Sequence, residues 1–245
     1  MDEDDKIKIR FGKGNSKLSK EIYTFSLPSG HSCPGASECM AKSDMVTGKI
    51  TDGDKQKFRC FSASQEAYFS NVRKSRWDNF VLLRQASEVG GARGMSKLLL
   101  KNLPTKAKKV RIHVAGDFFS QDYFDAWLDV AISRPKTLFY AYTKSLKFWA
   151  YRLDKIPKNL VLNASRGGYY DHLISRFSLP EVSVYFHPED AEGIPIDHDD
   201  SLAMDGKVDK FGLLLHGVQP AGSESAKALK RLSDERIETS YGKPR

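Results

Sequence analysis

The sequence predicts an α/β fold, an open, partial TIM-like barrel of about six parallel strands with outer helices. Three observations carry that expectation. From residue 110 onward, short β-favouring apolar runs alternate with stretches of helical period. Glycine, proline, asparagine and aspartate punctuate the junctions. The strand-then-helix order repeats without a run of hairpins, which calls for parallel strands joined by right-handed crossovers. A doubly wound sheet is the runner-up. The chain reads as a single domain over 1–245, with a cysteine loop region at 28–61 and a C-terminal extension at 188–245.

Taken in order, residues 1–20 are charged and carry Gly12, Gly14 and Asn15, so they read as a loose or edge-paired start. Ile22 to Leu27 is the first strand, ended by Pro28 and Gly30. Residues 41–57 are polar, with Gly48 and Asp52-Gly53 as turn signals, and predict a loop or hairpin. A helical pattern runs from Ser62 to Glu88 and stops at Gly90-Gly91; a second helix spans Gly94 to Leu100 and closes before Pro104. Val110 to Val114 is a strand. Ser120 can cap a helix on which Phe124, Trp127, Leu128, Ala131 and Ile132 share a face. Further strands follow at Leu138 to Tyr142, Leu160 to Asn163, Val182 to Phe186 and Phe211 to Leu215. Helices follow at 145–153, 170–176 and 223–235, and 188–209 reads as polar loop.

Bulk properties bound the function. Of 245 residues, 40% are apolar, enough for a sizeable core, yet no apolar run reaches the length of a membrane helix. The start, Met1-Asp-Glu-Asp-Asp-Lys, lacks the order of a signal peptide. With few cysteines, this predicts a reducing, cytoplasmic setting. Lys and Arg total 39 against 31 Asp and Glu, a net +8. That excess makes nucleic acid a candidate partner for weak binding. Tyr68, Phe69, Arg73, Lys74, Arg76 and Trp77 mix rings with cations as stacking platforms do, although a helix with one solvated face explains them as well.

The chain's three cysteines, Cys33, Cys39 and Cys60, fall in its first quarter, with five residues between the first pair and twenty between the second. Three thiols cannot all pair as disulfides. Three thiolates suit a 4Fe-4S cluster with one open or unusual iron position. Zinc on the cysteines with His31 is an alternative, and structural thiols are a third. His31, two residues before Cys33, is the nearest non-thiol ligand that could close the fourth position.

In parallel α/β folds ligands bind at the carboxyl ends of strands. Here those ends carry His31, Cys33 and Cys39 after the first strand, Gly116 and Asp117 after the second, Thr143 and Lys144 after the third, and Ser165 and Arg166 after the fourth. His113, inside a strand, reads as a hydrogen-bonded core residue.

This order resembles the radical S-adenosylmethionine domain, over roughly residues 22–187. The resemblance implies that Cys33, Cys39 and Cys60 hold a 4Fe-4S cluster. It also implies that Gly116-Asp117 meets the amino group of S-adenosylmethionine, and that Thr143 and Ser165 lie where further cofactor contacts are made. Lys144 and Arg166 would then hold carboxylates or phosphates. The cysteine spacings are looser than that superfamily's. The segments Ser29-Gly-His31-Ser-Cys33-Pro-Gly, Phe58-Arg-Cys60-Phe-Ser-Ala-Ser-Gln-Glu, Ala115-Gly-Asp-Phe-Phe-Ser and Ala141-Tyr-Thr-Lys-Ser also resemble a tailed-phage family labelled gene product eighty-eight, a label that names no reaction. That resemblance implies a setting in the host-cell cytoplasm. A cluster protein, a radical enzyme taking a small-molecule ligand at the cluster, and a basic zinc or cluster protein that binds nucleic acid all remain open.

Overall fold

The structure, a computed structural model, describes residues 8–14 and 18–239. The part of the expected N-terminal segment at 1–7 and 15–17 lies outside the described residues.

A short β1 (Gly12–Lys13) lies antiparallel to β2 (Ile22–Ser26). The polar stretch that follows folds into a separate hairpin of β3 (Ala41–Ser43) and β4 (Ile50–Asp52), turned by Asp44, whose carboxylate takes the Val46 and Thr47 N–H groups. Next come α1 (Phe61–Tyr68) and the 33-residue α2 (Ser70–Asn102). Gly91, at φ 53° and ψ −141°, breaks α2 into two pieces in a conformation that only glycine adopts readily. The remaining elements alternate: β5 (Lys109–Ala115), α3 (Gln121–Ser133), β6 (Leu138–Thr143), α4 (Leu146–Ala150), β7 (Leu160–Ser165), α5 (His172–Phe177), β8 (Glu181–Tyr185), α6 (Ser201–Asp205), β9 (Lys210–Leu214) and α7 (Glu224–Asp234).

These build a mixed α/β molecule around a seven-stranded sheet in the order β1-β2-β5-β6-β7-β8-β9, parallel throughout except for β1. Every parallel strand is neighbour to the next in sequence. Right-handed crossovers that all step the same way put their helices on one face, and α2 to α5, in the connections from β2 to β8, lie so. Core composition agrees, because alternate strand residues Val110, Ile112, Phe139, Ala141, Leu160 and Leu162 pack with Leu83, Leu99, Phe124, Trp127 and Leu173 from the helices.

The intervening strand residues form the other face. Tyr140, Val182 and Phe211 pack there with Ile22, Leu18 and Ala203 of α6. Arg111 reaches Asp200 just before α6 at 2.7 Å, and the hydroxyls of Tyr140 and Tyr142 each donate to the same carboxylate at 3.0 Å. Asp197 accepts from the Ala203 N–H at 3.0 Å. The 188–209 segment, expected as loop, therefore carries a five-residue helix that plugs this face. No helix among the described residues is long and apolar enough to cross a membrane.

Candidate cysteine-lined site

Chain geometry delivers the thiols from two directions. After β2, Pro28 and Gly30 start a series of tight turns; the Cys33 N–H donates to the Gly30 carbonyl at 3.3 Å and Ala36 N–H to the Cys33 carbonyl at 3.2 Å. The loop then crosses the carboxyl ends of β6 and β7. Ser37 and Glu38 N–H groups both donate to the Gly167 carbonyl, and Tyr169 N–H to the Gly35 carbonyl at 3.0 Å. Gly35 lies so close to the Lys144 carbonyl that a Cβ there has no space. Cys60 arrives separately, at the N-cap of α1. Its approach is fixed by Lys57 and Phe58 N–H groups on the Glu38 carbonyl and by an Arg59–Asp52 pair. The Gln219 amide brackets the Arg59 backbone, its Oε1 accepting at 2.7 Å and its Nε2 donating at 3.1 Å.

Cys33, Cys39 and Cys60 are all free and line one cavity of about 160 Å³, together with Asp117, Lys144 and Ser165. That volume is more than ten times the space a single water needs, about 10–15 Å³. Burial pushes all three thiols up. Cys33 stands well above its ordinary value, with Asp117 and the other two thiols adding to the effect. Cys39 is pushed up to about 11, with the Lys144 ammonium pulling the other way. Cys60 is raised by burial against the Ser62 N–H. Among the described residues no group of three or more His, Cys, Asp or Glu converges tightly enough to hold a single metal ion.

The acidic turn is arranged differently from a ligand waiting for an amine. Asp117 Oδ1 accepts from the Phe118 N–H at 2.7 Å and the Thr143 hydroxyl at 2.6 Å; Oδ2 accepts from the Lys144 and Ser145 N–H groups at 2.8 and 3.2 Å. A carboxylate offers about four lone-pair directions, and all four are used. Burial nonetheless pushes its carboxyl above the ordinary range, against those donors and the Lys144 charge. Gly116, at φ 83°, lets the strand end turn under Leu27 and Ser32, where a Cβ would collide. Lys144, a residue only 7% exposed, donates from Nζ to Ser165 Oγ at 2.7 Å and to the Arg166 carbonyl. The Arg166 guanidinium turns away to pair with Glu181.

Of the residues singled out in the sequence, the structure gathers Cys33, Cys39, Cys60, Gly116, Asp117, Thr143, Lys144 and Ser165 around the cavity. Arg166 and His31 are not among its lining. His31 Nε2 pairs with the Ser43 carbonyl at 3.0 Å, and its ring lies 4.8 Å from that of Trp77. Arg111, His113, Tyr142 and His216 also line the cavity. Of these, His113 was legible only as a core residue, and it does bond Tyr123 through Nε2 at 3.0 Å. Burial and Arg111 hold it down to about 3, so it is neutral. Its φ of 66° marks a bulge where the β2–β5 register shifts. In the ring-and-cation segment, Arg73 donates to the carbonyls of Met45, Val46 and Glu66, while Arg76 is buried on Glu66 and Gln65.

A family model described as Gene product 88 matches residues 6–234. No curated protein and no solved structure matches the chain.

Proposed function

The chain belongs to the Gene product 88 family, a phage-type family, and on that footing we propose that it is an iron–sulfur protein whose 4Fe-4S cluster is held by Cys33, Cys39 and Cys60. One observation carries the reading: the chain's only three cysteines, delivered by two separate segments, line one cavity at the carboxyl ends of a parallel sheet. The donor set fits. Three thiols lining a cavity wider than one ion suit a group whose irons each take one thiolate. When bound, such a cluster supplies one-electron chemistry.

The chain's own residues have definable parts. Raised thiols must give up protons as metal binds, so uptake strengthens with pH. Lys144 favours the thiolate of Cys39, and two acceptors fix its ammonium, which leaves its third N–H for an anion in the cavity. Asp117 is a positioning residue that ties the end of β5 to 143–145. With His31 engaged on Ser43, the fourth iron position would be left to a small molecule entering the cavity.

That last point, with six parallel strands in sequence order and α2 to α5 packed on one face, favours a second reading: a radical S-adenosylmethionine enzyme built on a partial barrel. In it an incoming ammonium group would compete with a donor already on Asp117.

The test is anaerobic preparation with iron and sulfide analysis. We expect the two in equal amounts in the wild type and neither in the Cys33→Ala, Cys39→Ala, Cys60→Ala triple variant. Zinc alone, or metal retained by the triple variant, would overturn the cluster. Electron paramagnetic resonance of the reduced protein then decides between the readings: a change on adding S-adenosylmethionine favours the enzyme, and no change favours a protein whose cluster carries electrons or shape alone.

A further inference from the structure

Beside the thiol cavity lies a larger one of about 670 Å³, within the size of small-molecule sites, about 300–1,000 Å³. Arg59, Phe61 and His216 line both, so the two share a wall next to Cys60. Ile50, Ala67, Tyr68, Phe69 and Val218 complete an apolar, ring-rich lining. Tyr68 is 83% exposed and Phe69 52%, with their rings 4.9 Å apart, which leaves aromatic surface at the pocket open to solvent.

The polar groups there narrow what fits. The Arg59 guanidinium is neutralised by Asp52, through Nε to Oδ1 at 2.9 Å and a second contact to Oδ2. Ser64 Oγ is used on the Val218 carbonyl. Gln65 is different. Its Oε1 takes the Arg76 guanidinium at 2.9 Å, and Arg76 is itself locked on Glu66 at 2.7 Å and the Ser62 carbonyl at 3.0 Å. An amide whose oxygen is committed to a buried cation has its flip decided, and it offers its NH₂ group to a ligand.

We propose that this pocket binds the uncharged, planar ring portion of the small molecule that approaches the cysteine cavity, with a ring nitrogen or carbonyl oxygen accepting from Gln65 Nε2. Tyr68 and Phe69 supply the stacking surface. The Arg59 guanidinium, paired with Asp52, leaves no uncompensated charge of its own to hold an anion. The shared wall carries the reactive end toward Cys60. This rests on the thiol cavity being the reacting centre, but the pocket is tested by binding alone.

The experiment uses the full chain in its metal-free form, titrated with quinoline and with naphthalene, its isostere without the acceptor, by ligand-observed NMR. Quinoline is expected to bind roughly fivefold tighter, the worth of one neutral hydrogen bond. Gln65→Glu still accepts from Arg76 but loses the donor, so it should abolish the preference. Phe69→Ala should weaken both ligands. Bound quinoline should slow iodoacetamide modification of Cys60 more than that of Cys33. Equal binding of the two probes overturns the proposal, as does a preference that survives Gln65→Glu, or N-methylquinolinium binding as well as quinoline. A protein that keeps the preference but never takes up iron loses the cluster and keeps the pocket; one that takes up iron without the preference loses the pocket alone.

Discussion

A thiol buried beside two others and a carboxylate resists losing its proton, and that resistance has a sign that can be measured. In the unfolded chain the three cysteines ionise near 8.5, about the ordinary value. In the fold burial holds them higher, Cys39 to about 11. Between those values the unfolded state binds fewer protons than the native one, so the stabilisation present below about 8.5 is lost as pH rises. We expect the urea midpoint of the metal-free protein to fall from pH 8.5 to 10.5 more steeply than that of the triple Cys→Ala variant; equal slopes would refute the raised thiols. At this scale the sequence was readable for residue types and less so for directions. The cysteines, Asp117 and Lys144 stand out because their chemistry is rare at strand ends. Three of the four donors that saturate Asp117, and the partners that turn His31 toward Ser43 and Trp77, lie 12 to 46 positions away, which no local pattern encodes.

At the scale of elements, backbone hydrogen bonds hold the loop from Cys33 to Cys39 against the ends of β6 and β7, and Gly35 is where the fit is tightest. Gly35→Ala has no room beside the Lys144 carbonyl. It should cost about 1–3 kcal/mol, as overpacking does, and speed the alkylation of Cys39. Gly90→Ala, with φ −148° and nothing within reach of an added Cβ, should cost nothing measurable. If thermal unfolding ranks the two variants the other way, the loop is not clamped there. Most elements were legible because their signals are local. The Ser120 hydroxyl accepts from the Tyr123 N–H, Gly90-Gly91 breaks the long helix, and the six parallel strands fall within about two residues of their expected bounds. Two features were not legible. The break between α1 and α2 at Phe69 has no glycine or proline to mark it. The five-residue α6 is too short for a period to register, and it exists because Asp200 is drawn in by Arg111, Tyr140 and Tyr142.

At the scale of the whole molecule, a net charge of +8 invites a polyanion, yet the structure has already used many of the cations that looked available. In the 68–77 segment Arg73 and Arg76 are buried and bonded inward, and Lys74 pairs with Asp78. In α7, Lys227 pairs with Glu224, and Arg231 with Glu189 and Glu235. Lys106 and Lys108 are exposed, but they stand at the opposite end of the strands from the cysteine cavity, just before β5. Affinity for nucleic acid grows with the number of phosphates neutralised together, and log K falls with log salt at about −0.9 per contact on duplex DNA. Two or three lysines at one place therefore give a shallow slope and binding in the non-specific range of about 10⁻⁴–10⁻⁶ M at physiological salt. Fluorescence anisotropy with a labelled 20-mer, single- and double-stranded, across a salt series should return that slope and no preference among sequences. A sub-micromolar complex with one defined sequence at physiological salt would mean that the surface charge is organised after all, and nucleic acid would then displace a small molecule as the partner to seek.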